Sequence, residues 1–142
     1  MNIYFACSIT GGRQEEGTFG HLVDVLLGDG HQVPTAHIAR SGIEEADARE
    51  EPLDIYQRDV DWISESDLLI AEVSTPSHGV GYEIGYALTL EKPVLCLFKK
   101  GARVSKMITG NPDPLLRTLS YESAEQAASL LREYLKKSSS EE

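Results

Sequence analysis

The chain has 142 residues, of which 41% are hydrophobic and 25% charged, and its formal net charge is -10. That length allows one domain with a real core and is too short for two comfortable ones. The acidic balance argues against a protein that coats nucleic acid, and no apolar run approaches a membrane span, so a cytoplasmic protein with neither partner is expected.

Asn2–Cys7 is apolar and β-rich and predicts a first strand, followed by a loop Ser8-Ile9-Thr10-Gly11-Gly12-Arg13. Phe19, Leu22, Val23, Leu26 and Leu27 recur at helical spacing over Thr18–Gly28, and Gly28 and Gly30 end that helix. His31–Ala36 reads as a short second strand. Arg40–Pro52 has no period, is acidic, and reads as an exposed loop or lid from which base contacts could come. Asp54–Glu65 is helical, with Ile55, Val60, Trp62 and Ile63 among its apolar members, and Asp67–Val73 is a buried strand. After the polar loop Ser74–His78 a helix runs to about Glu91, and Pro93–Phe98 is another buried strand. A basic turn Lys99–Arg103, a short helix at Val104–Ile108 and a strand at Arg117–Ser120 follow. Ser123–Lys137 is a last amphipathic helix, and Ser138–Glu142 reads as a disordered polar tail. Cys7 and Cys96 sit alone in strand-like runs and read as reduced core residues, and no His or Cys spacing suggests a metal.

Strands alternating with helices predict an α/β domain over residues 1–137: a doubly wound, Rossmann- or flavodoxin-like parallel sheet of five strands with helices on both faces. Ligands in such sheets bind at the carboxyl ends of the strands, where the topology switches. The loops that end there are Ser8–Arg13, Ser74–Gly81 and Lys99–Ser105.

Two of those loops carry chemistry. Ser8–Arg13 offers two hydroxyls, backbone N–H groups near glycines and a guanidinium, which suits a phosphate monoester. It is neither a dinucleotide fingerprint nor a P-loop, and a Gly-Gly turn after a strand is often only a turn. A net charge of -10 does not forbid one small anion held at short range. In Gly79-Val80-Gly81-Tyr82-Glu83-Ile84-Gly85, the carboxylate of Glu83 falls beside an apolar face made by Val80, Ile84, Ala87 and Leu88. There it loses water and must be compensated or used. The residues alone leave two readings open: a helix-start carboxylate that favours the macrodipole, or a nucleophile at a strand-to-helix junction. Ser77 is likewise an N-cap or an anion ligand, and no spacing singles out Asp59.

Four segments together resemble one family: Ile3–Arg13, Asp59–Trp62, Ala71–Gly85 with its Pro-Ser-x-Gly-Val-Gly-Tyr-Glu core, and Val104–Ile108. They are similar to the 2'-deoxynucleoside 5'-phosphate N-hydrolases of the nucleoside 2-deoxyribosyltransferase superfamily. The resemblance implies cleavage of the N-glycosidic bond of a deoxynucleoside monophosphate, without cofactor or metal, in a homodimer with shared sites. It implies Glu83 as the nucleophile, Tyr4 as the residue that orients it and Asp59 as the acid that helps protonate the leaving base. Ser8, Ile9, Thr10, Gly11, Gly12, Arg13, Ser77 and Gly81 match substrate-binding positions, and Ser105 matches a serine that reaches the phosphate from the neighbouring subunit. Thr10 departs from the pattern, since family members often carry Arg there; Arg13 is the candidate to supply that charge. The rival readings are a transferase that passes deoxyribose to a second base, and a non-catalytic nucleotide sensor. Hydroxyls at Ser77 and Ser105 suit a phosphate better than the acidic group and Asn typical of the transferases.

Overall fold

The computed structural model describes residues 1–8, 16–41 and 50–140. Four strands, β1 (Ile3–Ala6), β2 (Leu68–Glu72), β3 (Val94–Lys99) and β4 (Leu116–Tyr121), form one parallel sheet in the order β1-β2-β3-β4. Tyr4 is in register with Leu69, Leu69 with Val94, and Val94 with Leu116. The helices, numbered as they occur among the described residues, are α1 (Glu16–Gly28), α2 (Ala36–Ser41), α3 (Pro52–Glu65), α4 (His78–Thr89), α5 (Lys106–Thr109) and α6 (Ala124–Ser140).

Strands β1 and β2 are buried along their whole length. Their continuous apolar runs are what a parallel sheet covered on both faces requires. Alternation then divides the side chains. Ile3, Phe5, Leu68, Ile70, Leu95 and Leu97 face Phe19, Leu22 and Leu26 of α1 and Ala127 and Leu131 of α6. Tyr4, Ala6, Leu69, Ala71, Val94 and Cys96 face Ile63 of α3 and Val80, Ile84 and Ala87 of α4. Cys7 and Cys96 are both buried, Cys7 on one face of the sheet and Cys96 on the other. No helix among the described residues is long and apolar enough to cross a membrane.

Among the described residues the sheet has four strands, not the expected five. The segment read as a strand at His31–Ala36 makes only one isolated parallel bridge, Asn2 to Gln32. There Ile3 N–H donates to the Gln32 carbonyl at 2.8 Å and Gln32 N–H to the Met1 carbonyl at 2.9 Å. Pro34 has no N–H to continue the ladder. Thr35 replaces it with a side chain: its hydroxyl accepts from Phe5 N–H at 3.1 Å and donates to the Phe5 carbonyl at 2.8 Å. With β1 satisfied, the chain turns at Thr35 directly into α2, a helix the sequence pattern did not announce.

Other boundaries moved less. Helix α3 starts at Pro52, which occupies its first turn, where a missing N–H costs nothing. Of the expected Arg40–Pro52 loop, its start is the end of α2, its end opens α3, and residues 42–49 lie outside the described residues. Ser105 caps α5 rather than lying inside it, its Oγ accepting from Met107 N–H at 3.2 Å. Helix α6 continues to Ser140, past its expected end at Lys137.

Thr35→Val keeps the shape and removes the hydroxyl, leaving the buried N–H and carbonyl of Phe5 unpaired. The expected loss is about 1–3 kcal/mol in urea unfolding. An unchanged midpoint would show that β1 does not depend on this side chain.

Candidate active site

The connection leaving β1 returns through α1 to Gln32 on one side of that strand, and the connection leaving β2 runs through α4 to β3 on the other. The chain therefore diverges between the carboxyl ends of β1 and β2, where an open α/β sheet forms its crevice. Ser8 follows β1 at this point, and the segment from Val73 to Ser77 follows β2.

Tyr4 and Glu83 meet on the α3/α4 face of the sheet. Alternation sends Tyr4 to that face with Ala6, while its neighbours Ile3 and Phe5 pack on the other. Glu83 lies one helical turn from Val80 and from Ala87, both buried, and is itself partly buried. The Tyr4 hydroxyl donates a short hydrogen bond to Glu83 Oε2 across 79 positions of sequence. Burial pushes the Glu83 carboxyl up to about 7; the Tyr4 hydrogen bond opposes this, the charge of Asp59 adds to it, and Arg58 opposes it. Burial, and then the charge of Glu83, hold the Tyr4 phenol far above its usual range. Tyr4 is thus a permanent donor, and Glu83 a carboxylate poised between its two forms near neutrality.

Asp59 acts on both groups electrostatically, so β1, α3 and α4 together bring Tyr4, Asp59 and Glu83 to one place. The sequence did not single out Arg58, which belongs with them. Its Nε donates to Asp59 Oδ1 at 2.9 Å, its guanidinium lies 5.0 Å from the centroid of the Trp62 ring, and Glu50 is 4.0 Å away. Residues adjacent in a helix do not face each other, so the Arg58–Asp59 contact is not a spacing signal. The Arg58–Trp62 pair, four apart on a helix, is one.

The expected phosphate ligands are divided. Ser8 is 1% exposed, and its Oγ makes no hydrogen bond to any described residue. A buried hydroxyl without a partner costs about 1–3 kcal/mol, and such groups are rare enough to need a reason. Ser77 is the N-cap of α4, its Oγ accepting from Val80 N–H at 3.3 Å. Gly81 lies in the first turns of α4, and a Cβ added there would meet no described atom within 4 Å. The protein's own packing therefore does not demand a glycine. Ile9, Thr10, Gly11, Gly12 and Arg13 lie outside the described residues. Ser105 is exposed on the α5 segment and is joined to no other site residue.

Residues 3–131 match the family described as Nucleoside 2-deoxyribosyltransferase. The chain belongs to that family. It is 41% identical over 133 residues to a Methanosarcina barkeri protein provisionally named 2'-deoxynucleoside 5'-phosphate N-hydrolase 1, an alignment covering 94% of this chain and 84% of the relative. It is 38% identical over 138 residues to the 5-hydroxymethyl-dUMP N-hydrolase of Danio rerio, covering 94% and 95% of the two chains. Among solved structures, the CMP N-glycosidase of Clostridium botulinum superposes with a TM-score of 0.68 at 22% identity, covering 92% of this chain and 97% of that one. At that identity the likeness concerns the family's α/β fold.

Glu83 makes stability depend on pH. Its carboxyl titrates near 7 in the folded chain against an ordinary 4.5, so between those values unfolding releases a proton and stability falls as pH rises. Below about 4.5 the penalty is absent, and above about 7 it is complete. Glu83→Gln removes it. The variant's advantage over the native chain in urea unfolding should grow by on the order of 2–3 kcal/mol between pH 4.5 and pH 8. A constant difference across that range would show that Glu83 is not perturbed by its site.

Proposed function

We propose that this protein hydrolyses the N-glycosidic bond of 2'-deoxynucleoside 5'-monophosphates, giving a free nucleobase and 2-deoxyribose 5-phosphate. The observation that carries the reading is the Tyr4–Glu83 pair: a desolvated carboxylate, oriented by a phenol that stays protonated, beside a second carboxylate on α3. The N-hydrolase names of relatives 38–41% identical over most of the chain agree with it.

Breaking an N-glycosidic bond develops positive charge on the sugar. Ionised Glu83 attacks the anomeric carbon while the carbon–nitrogen bond breaks and its electron pair leaves with the base. Asp59 helps to protonate that base. Water then attacks the glycosyl ester, gives up a proton and returns Glu83 to the carboxylate. Tyr4 holds the attacking group in one orientation throughout, the kind of positioning that removes an entropic barrier. A 2'-hydroxyl would withdraw electrons from the ring, so a deoxy sugar reacts more readily. Ser8 and Ser77 at the crevice between β1 and β2, with the N-terminus of α4, are the described groups we assign to the phosphate; Ile9, Thr10, Gly11, Gly12, Arg13 and Gly81 are assigned to the same subsite.

We further propose that the enzyme works in the cytoplasm as a homodimer, with the partner's Ser105 completing each phosphate subsite. Exposed apolar side chains support a second copy as the occupant of this surface: Leu53 is 71% exposed, Tyr82 57% and Met107 83%. Tyr56, Tyr82 and Tyr86 form a surface row, with ring centroids 6.3 and 6.4 Å apart. Met107 is two residues from Ser105.

Incubation with deoxynucleoside monophosphates, free deoxynucleosides and a ribonucleotide should release base fastest from the first. A second free base, added as acceptor, should not accumulate as a new nucleoside; if it does, the enzyme is a transferase. Glu83→Ala should lower turnover about a thousandfold or more. The kcat/KM profile should rise with pH through about 7 as Glu83 ionises, and Tyr4→Phe should move that limb to higher pH because the lost hydrogen bond favoured the ionised form. Turnover by a folded Glu83→Ala protein would remove the nucleophile assignment.

The dimer is tested by mixing subunits. Glu83→Ala and Ser105→Ala chains are each poor at low monophosphate concentration. In shared-site heterodimers one site carries both changes and the other neither, so activity should partly recover. No recovery despite demonstrated subunit exchange would refute the shared site.

A further inference from the structure

We propose that Glu72, on the opposite face of the sheet from Glu83, is a positioning residue for the phosphate subsite, acting through the segment from Val73 to Ser77. This rests on the reading of Ser77 and the α4 N-terminus as phosphate ligands.

Glu72 ends β2 and is 1% exposed. A carboxylate that deep is expensive unless its lone pairs are met by donors. Among the described residues three donors are close: Ser74 N–H at 2.6 Å on Oε1, and the Ser74 hydroxyl at 3.0 Å and the Tyr121 hydroxyl on Oε2. The Ser74 Oγ in turn accepts from Lys99 N–H at 2.8 Å. Glu72 thus joins the carboxyl ends of β2, β3 and β4 to the first turn of the segment leading to α4. Tyr121 is itself 1% exposed and ends β4, so the far end of this clamp is fixed in the core.

The segment so held is short. Ser74 is fixed by Glu72, and Ser77 already caps α4, with its carbonyl accepting from Gly81 N–H at 3.1 Å. Only Thr75 and Pro76 lie between the two anchors. A shift of Ser74 therefore passes to Ser77 and to the N–H groups that open α4. Binding a phosphate at such a place depends on sub-ångström alignment of those donors. The same contacts could serve only to knit the sheet end, and that alternative predicts a different set of results.

The test uses Glu72→Gln and Tyr121→Phe in the full chain. In Glu72→Gln one oxygen becomes an NH2 group that cannot accept, so the Ser74 and Tyr121 donors cannot all be met. Tyr121→Phe removes one donor and keeps the ring, so it remains informative if Glu72→Gln does not fold. Leu131→Ala, which opens the core on the same sheet face, serves as a control for stability loss alone. Backbone hydrogen exchange of residues 73–81 without substrate reads the clamp, and the kcat/KM ratio for a deoxynucleoside monophosphate over the free deoxynucleoside reads its consequence. We expect faster exchange and a preference reduced about tenfold, mostly through KM, with Leu131→Ala changing neither. Unchanged exchange, or faster exchange with the preference intact, would overturn the proposal and leave the glycosidase reading standing. A native enzyme with no preference for the monophosphate would instead remove the phosphate reading, and this inference with it.

Discussion

A carboxylate ordinarily seeks water or a counter-charge, yet Glu83 is held where charge is disfavoured. That conflict organises the site. Burial beside Val80, Ile84 and Ala87 strips water from the carboxyl and raises its pKa. The Tyr4 hydroxyl returns part of the lost stabilisation through one directed bond. Because Tyr4 comes from β1 and Glu83 from a covering helix, the bond fixes α4 against β1 as well as orienting the carboxylate we assign as nucleophile. Asp59 and Arg58, next to each other on α3, add opposing charges at the edge of this arrangement.

The sheet carries two tyrosine–carboxylate pairs, one on each face. Tyr4–Glu83 is partly buried, and Tyr121–Glu72 is fully enclosed in the core. Their chemistry is alike, but their surroundings differ. Among the described residues Glu72 is met by three donors, whereas the Glu83 carboxyl is pushed up to about 7 even with its tyrosine. An acceptor already satisfied makes a good strut and a poor nucleophile.

Much of this was legible in the sequence, for physical reasons. The runs Leu68–Ala71 and Val94–Phe98 are apolar without alternation, which is what burial on both faces imposes, and the period of α6 identifies its inner face. Glu83 was conspicuous because a charge interrupted an apolar stripe. The segment at His31–Ala36 misled because a strand's edge can be satisfied by a side chain: nothing in the pattern says that the Thr35 hydroxyl will bond Phe5. Arg58 was missed because its contact with Asp59 depends on the reach of a long side chain rather than on helical spacing. Tyr121 and Glu72 lie 49 positions apart, and only the order of the strands brings them together.

That wide separation also bears on how the protein is made. Strand β1 is synthesised before its neighbour β2 and can find it only after the whole of α1, α2 and α3 has emerged. Tyr4 must wait still longer for Glu83. Contacts of this reach are slow to form, because the intervening chain must be ordered before they repay the entropy. A nascent chain can therefore pair one edge of β1 with Gln32 and Thr35 early, but must leave its other edge open until β2 has emerged, and gains the Tyr4–Glu83 bond later still. The topology that assembles the crevice from distant parts also withholds the Tyr4–Glu83 pair from every N-terminal fragment that stops short of α4.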